Sequence, residues 1–431
     1  MTNRANLRPQ SKPISKPALK LLWMIRKRKH LSLSFRRSSM PDGCAAVLND
    51  HEDILVEILA RLPVKTLMRF RCVCTTWRSL IADPHFVKKH MKYDAERGVN
   101  DDDMRLLFSM KPPSTMALAD LKGLKDAGQD LKSFREDRVA IRELEFPVCL
   151  DFVQHSDIVN FGSCNGIICV QFRKDFVLWN PCTGDHKVLP KPSGVSFYSQ
   201  YYGFGYDEIN DDYKVVKGSH NEIGVDGPMK AMVQVFSLRR GTWNTYPGPR
   251  NSCMIGNYPC QMNSCMKGQG GFVNGVLHWL RFEERCKTES REIMPFSLAE
   301  EKFLEAMSLP YEFGGILICQ NRLCVHSDRA MVRIMMMKEY GVKESWTEVL
   351  YITYHTVPEI YDEICKVTPL WILENGDVLA YTVQQGVYLS VYKPKDKAFT
   401  NVIRPEVSYM FEAIAYKETL VSPITGSLRD I

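Results

Sequence analysis

The chain has 431 residues, 45% of them apolar and 25% charged, with a formal net charge of +6. That length and apolar content imply two or more domains with a large buried core. The charge is uneven: residues 1–41 hold eleven Lys or Arg and no Asp or Glu, so the rest of the chain is close to neutral, unlike a nucleic-acid reader. No apolar run approaches the ~20 residues of a membrane span. Fourteen scattered cysteines without a secretory signal read as reduced thiols of a cytosolic or nuclear protein.

Residues 1–41 form a basic tail of low order. Arg26-Lys27-Arg28-Lys29 matches a nuclear-localisation pattern. The Arg- and Ser-rich, acid-free composition matches an organelle transit peptide equally. A solvated extension, or an upstream start codon with Met40 as the true beginning, accounts for both features, and these readings stay open.

Residues 42–92 are read as three short amphipathic helices. Asn49 followed by Glu52 is a capping-box pattern that opens the first. Ile54, Leu55, Ile58, Leu59 and Leu62 recur at helical period. Pro63 ends that helix, and its fixed φ suits the start of the next. Val64, Leu67, Phe70 and Val73 make the second stripe, and Trp77, Leu80 and Ile81 the third. Asp83-Pro84 is expected to close the third helix, with Phe86 and Val87 in a short trailing turn. Some 40 residues rarely bury enough surface to fold alone, so something must cover the apolar stripes: either the rest of this chain or a partner protein. Residues 93–103, YDAERGVNDDD, lack periodicity and read as a linker.

The run ILVEILARLPVKTLMRFRCVCTTWRSLIADPHFVKKH resembles the F-box of the large plant family of F-box proteins. The resemblance implies docking on a Skp-family adaptor and, through it, on the cullin of a RING ubiquitin ligase. It implies an adaptor-binding face drawn from Ile54, Leu55, Ile58, Leu62, Pro63, Val64, Leu67, Val73 and Trp77. The family usually carries Leu-Pro where this chain has Asp50-His51, a difference that removes an apolar contact and a helix-starting proline.

From residue 104 to 423 the texture is β-rich. Asn165-Gly166, Asn274-Gly275 and Asn375-Gly376 each lie between two apolar runs, with Asn210-Asp211 and Asn321-Arg322 in equivalent places. Asn-Gly suits a type I′ hairpin, whose two central residues both need positive φ. A strand, a polar turn and a strand follow each of them. Phe236 and Trp243, Phe296 and Phe303, and Tyr392 and Phe399 are all seven residues apart, and residues 331–350 form a longer version. Two linked hairpins make one four-stranded propeller blade, giving five units that start near 157, 202, 270, 314 and 366. Residues 104–110, strands near 146–153 and residues 410–423 would make a sixth, composite blade closing the ring. SCNGIICV, VLWNPCTG, GFGYDEINDDYKVV, GGFVNGVLHWL and FEAIAYKETLVSP are similar to the plant F-box-associated, kelch-like domain, as found in proteins of S-locus F-box type.

Motifs of bond chemistry are sparse. Neither GxSxG, GxxxxGK[ST] nor HExxH occurs. Cys72-x-Cys74 reads as buried core thiols, and the other cysteines lack paired CxxC spacing, so neither a metal nor a cofactor is expected. His278 reads as a satisfied core histidine. Trp179, Trp243, Trp279, Trp346 and Trp371 read as packing between blades. The segments 218–230, 246–269 and 281–292 read as long loops, where recognition commonly lives. The fold class expected is therefore α+β multidomain: a three-helix F-box followed by an all-β, six-bladed propeller, with a short tail at 424–431. The function expected is non-catalytic: a ligase subunit holding an unidentified target protein on its propeller, with no nucleic acid or membrane partner. Two rival readings stay open, an F-box protein that acts outside a ligase by sequestering the adaptor, and a propeller enzyme.

Overall fold

A computed structural model of the chain describes residues 52–98, 101–111, 115–127, 141–145, 147, 158–172, 175–192, 199–220, 231–249, 254–255, 258–259, 264–266, 268–285, 288–309, 313–327, 332–353, 366–383, 387–403 and 413–424. The tails 1–41 and 425–431, the Asn49 cap and the Asp50-His51 pair lie outside them.

Four helices lead the described chain: α1 (Glu52–Leu59), α2 (Val64–Phe70), α3 (Thr75–Ala82) and α4 (Pro84–Glu96). Pro63 caps α2 and accepts from Thr66 N at 2.9 Å. Cys74 caps α3 through its Sγ, which accepts from Trp77 N at 3.5 Å. Cys72 is exposed and Cys74 half-buried, so this pair is not the buried core thiols expected. The fourth helix is a second correction. Asp83-Pro84 does close α3, but it also opens 13 residues of helix rather than a trailing turn. Asp83 Oδ1 accepts from His85 N at 2.8 Å and Phe86 N at 3.2 Å, while Pro84 occupies the first helical position. A cap residue followed by proline is a start signal as much as a stop. The expected linker at 93–103 is thus helical through Glu96, and Asp101–Asp103 form a 3-10 turn.

The remainder is a six-bladed β-propeller. Five blades run inner strand to outer strand in chain order, with inner strands Ile158–Cys164, Ser199–Asp207, Gly271–Val273, Gly315–Cys319 and Lys366–Ile372. The sixth is composite, as expected, but its strands differ. Ala413–Lys417 is innermost, followed by Met104–Lys111, Thr115–Asp120 and Ile141–Glu145. The strands expected near 146–153 fall almost wholly outside the described residues. Around the axis, Ala413–Lys417 lies between the inner strands of the fifth and first blades, which closes the ring.

The turn chemistry follows the sequence at two of the three Asn-Gly pairs. Asn165-Gly166 and Asn274-Gly275 have positive φ at both positions, whereas at Asn375-Gly376 only the glycine does and at Asn210-Asp211 only the aspartate. In the fourth blade the left-handed pair is Gln320-Asn321, one residue earlier than expected, because Cys319 pairs with Arg322. Each aromatic pair seven apart faces across its outer hairpin, with ring centroids 5.3, 5.0 and 4.9 Å apart in the second, third and fifth blades. Five residues after the first aromatic, a residue of positive φ turns the chain: Gly241, Glu301 and Lys397, with Gly184 following Trp179 in the same way.

Glycine crowds the inner strands because adjacent blades converge there. A Cβ at Gly162 would lie 2.9 Å from Phe204 Cβ of the next blade, and one at Gly205 would strike the Phe272 ring. Between the second and third blades sits a buried ion cluster. Lys214 Nζ meets Asp207 Oδ2 at 2.9 Å, Glu301 Oε1 at 2.8 Å and the Leu298 carbonyl at 2.7 Å. Burial alone would pull the ammonium pKa down, but hydrogen bonds to Glu301 and Asp207 outweigh it and hold the pKa above the ordinary value.

Of residues 281–292, expected to be a loop, 281–285 and 288–292 are instead paired strand, within the pairing of Val276–Arg285 with Thr288–Ser297. The long 246–269 segment contributes strand pieces. Ser264–Met266 pairs with that hairpin, and Gly268–Gln269 runs parallel to Tyr201–Tyr202 on the axial side of the second blade.

Candidate functional site

Two surfaces can carry function: the outer face of the helices and the axial channel. The structure sorts the nine helix residues into two groups. Val64, Leu67 and Trp77 are buried, with Leu67 fully so; they hold the helices together and offer a partner little surface. Ile54, Ile58 and Val73 are exposed at 57%, 36% and 48%, Pro63 is exposed, and Leu55 and Leu62 are half-buried. Ile54, Leu55 and Ile58 share one face of α1 by their spacing.

The stripes of α1–α3 did not foresee what α4 does. Phe86, Val87 and His90 complete the helical core, and His90 Nε2 lies 2.9 Å from the Leu62 carbonyl, which fixes the end of the α1 turn. Burial depresses the His90 pKa and keeps the ring neutral. Glu57 is held by Lys89 Nζ at 2.5 Å and Tyr93 OH at 2.6 Å, contacts that lower its carboxyl pKa. The capping pair Asp83-Pro84 was the one signal for this helix.

The channel holds about 1050 Å³. Five of the inner strands lead into a turn to the next strand of their blade, and Ala413–Lys417 ends beside α4, where Lys417 meets Asp94. At that end Met91, Asp94, Ala95 and Gly98 line the cavity with Asn165, Gly166 and Asn274. Lys417 Nζ, at the end of the innermost composite strand, meets Asp94 Oδ2 at 2.7 Å and the Gly98 carbonyl at 3.4 Å. Asp101, almost fully buried, accepts from Trp371 Nε1 at 3.2 Å and Glu374 N at 2.8 Å. The final helix and the ring are thereby fastened at the turn end.

Three of the sequence motifs meet at the ring seam. Asn180 donates to the carbonyls of Thr419 (3.0 Å) and Val421 (2.7 Å), while Thr419 Oγ1 donates to the Asn165 carbonyl at 2.6 Å. His278 is fully buried, with Nδ1 3.1 Å from the Gly271 carbonyl and Nε2 2.8 Å from Tyr340 OH, so it is the satisfied core histidine expected. Burial depresses its pKa to about 4. Trp279 meets Tyr201 at 5.2 Å and Trp243 meets Phe176 at 5.6 Å, each bridging two blades. Among the described residues, no three His, Cys, Asp or Glu side chains group as metal ligands, and no helix is long and apolar enough to cross a membrane.

Comparison with known proteins agrees with this architecture. Residues 148–417 match the model of the F-box associated beta propeller domain, and residues 51–89 match the F-box domain. An F-box/kelch-repeat protein of Arabidopsis thaliana is 26% identical, over 86% of this chain and 95% of its own length. The F-box protein CPR1 of the same plant is 29% identical over 70% of this chain and 72% of its own. Among solved structures, the β-propeller domain of the Trilobed protease from Pyrococcus furiosus covers 76% of this chain and 95% of its own, at 11% identity and a TM-score of 0.34, too low to carry an argument. With one model spanning more than half of the chain and a second lying over its helices, the protein belongs to the family of F-box proteins that carry an F-box-associated β-propeller domain.

Proposed function

We propose that the chain is the target-recognition subunit of a cullin–RING ubiquitin ligase, with its helices docked on a Skp-family adaptor and its propeller holding a target protein. Proteins that pair an F-box with such a propeller are, as a class, non-catalytic adaptors. The observation that carries the reading is the apolar surface left on so small a helical unit: Ile54, Ile58 and Val73 all stand in solvent. The docking face is then Ile54, Leu55, Ile58, Leu62, Pro63 and Val73, while Val64, Leu67 and Trp77 support it from beneath. A large side chain that becomes buried against the adaptor contributes about 1.5–3 kcal/mol before association costs.

In this role the subunit accelerates transfer by proximity, raising the effective concentration of a target lysine near the charged conjugating enzyme. Its compartment is the cytoplasm, the nucleus or both. The domain boundaries that go with this reading are 42–92 for the F-box and 104–423 for the propeller, with α4 spanning the join. The test is a pull-down of full-length protein with a plant Skp-family adaptor and cullin, beside Ile58→Asp. Capture of both partners by the wild type and loss of both in the variant is the expected result. Equal capture by the variant removes the docking face from α1, and adaptor without cullin turns the reading towards sequestration.

A further inference from the structure

Charge is spread unevenly over the helices. Residues 58–82 carry five Lys or Arg and no Asp or Glu. The carboxylate just ahead of them, Glu57, is engaged by Lys89 and Tyr93 and also takes up Arg61 at 3.5 Å. Arg71 turns back on its own helix, with Nη1 3.7 Å from Met68 Sδ. Three cations are left over: Lys65, Arg69 and Arg78, all exposed and none in an ion pair among the described residues.

Their placement follows from two details. Lys65 and Arg69 are four apart on α2 and so stand on one side of it. Arg78 Nε donates to the Arg71 carbonyl at 3.3 Å, which holds the guanidinium against the α2–α3 turn, where Val73 is 48% exposed. That bond uses one of the N–H groups of the guanidinium and leaves the rest for a partner. Elsewhere the protein pairs such groups within itself: Arg97 with Asp94, Arg105 with Asp120, Arg281 with Glu292 and Arg333 with Glu348. Like charges gathered without an acid between them repel one another, and a surface of opposite sign removes that cost. A phosphate backbone would need the cations alone. Here Pro63 and Val73 are exposed in the same stretch, and arginine beside apolar side chains is the mixture of a protein interface.

We propose that α2 and the α2–α3 turn meet a carboxylate-rich surface of the adaptor, with Lys65, Arg69 and Arg78 steering the encounter and the apolar side chains holding it. This rests on the adaptor reading above, and deepens it by giving the adaptor surface a charge and three cations a role in the rate of docking.

The experiment is the binding kinetics of full-length protein on an immobilised, purified plant Skp-family adaptor, from about 50 to about 500 mM NaCl. The wild-type association rate should fall steeply as salt rises. Lys65→Glu/Arg69→Glu should slow association about tenfold or more at the lowest salt, flatten the salt dependence and change the dissociation rate little. Arg78→Gln should do the same to a smaller extent. These positions are exposed, so unchanged melting separates lost steering from lost folding. Lys88→Glu/Lys92→Glu changes the net charge equally at exposed positions of α4 and should slow association less than about twofold. An unchanged rate in the α2 variant, an equal loss in the α4 variant, or a wild type indifferent to salt would each overturn the proposal while the adaptor reading stands. An α2 variant that associates normally but no longer retains a poly(U) RNA bound by the wild type assigns the strip to phosphate instead. Wild type that binds the adaptor at no salt concentration sinks the ligase reading, and this inference with it.

Discussion

The helices and the propeller solve the same problem in opposite ways. Both are short elements with one apolar face to hide. In the propeller each blade covers its neighbour; among the described residues its exposed large apolar side chains stand on turns (Ile209, Tyr340, Val342), on outermost strands (Val188, Val349, Tyr351) and at Ile424, away from the faces between blades. Of the helices, α4 is fastened to the ring through Asp94 and Lys417, while α1 is left with an uncovered face. Their core of Leu59, Leu67, Ile81 and Phe86 is well covered, yet α1 still presents Ile54 and Ile58 to solvent. A closed repeat finishes its own surface, whereas a 40-residue helical unit leaves part of its surface for another molecule to finish.

Substitutions can sharpen this contrast. Lys214→Met should have the largest effect on stability, because it strands the buried Asp207 and Glu301 carboxylates; we expect a loss of about 3–5 kcal/mol, read by urea denaturation. Acid should act next through His278. Its folded pKa of about 4 lies below the ordinary value of 6.5, so the unfolded chain takes up the proton first as pH falls. Stability is then fully present above about pH 6.5, falls by about 3 kcal/mol on the way to pH 4, and changes no further through this group below that. His278→Gln should flatten that part of the profile, whatever its effect at neutral pH. Gly162→Val forces a side chain into Phe204 of the next blade and should cost about 1–3 kcal/mol. Ile58→Asp should move stability by less than about 0.5 kcal/mol while abolishing adaptor capture. A large stability loss there, or none for Lys214→Met, would erase the distinction between an unfinished surface and a finished one.

Much of this was legible beforehand, for physical reasons that can be named. Positive φ has few suppliers, so Asn165-Gly166 and Asn274-Gly275 announced their hairpins, and aromatic pairs at a spacing of seven announced the outer ones. The left-handed residue in those outer turns was less legible because Glu301 and Lys397 hold it where glycine would have marked it. Helix α4 was missed since Asp83-Pro84 reads equally as an ending. The 281–292 hairpin was missed because RFEERCKTESRE shows no apolar alternation, and its strands are held by backbone pairing. Strands Thr115–Asp120 and Ile141–Glu145 carried no turn signal to set them apart. For the candidate site, spacing identified the apolar helix residues but could not say which faced inward. Val64, Leu67 and Trp77 lie on the same stripes as the exposed residues, and only the packing of α4 and its neighbours decides between them.

The composite blade has a consequence for synthesis. Met104–Lys111 leaves the ribosome some 300 residues before Ala413–Lys417, the strand that must slide in on its axial side. At ~5–20 residues per second the wait is on the order of half a minute, during which the bare edge of a β-strand is open to any passing chain. The helices, local in sequence, can form in that interval. A truncation just ahead of Ala413 would therefore leave a docking-competent helical head joined to an unclosed, sticky ring: a product able to occupy the adaptor while presenting no finished receptor.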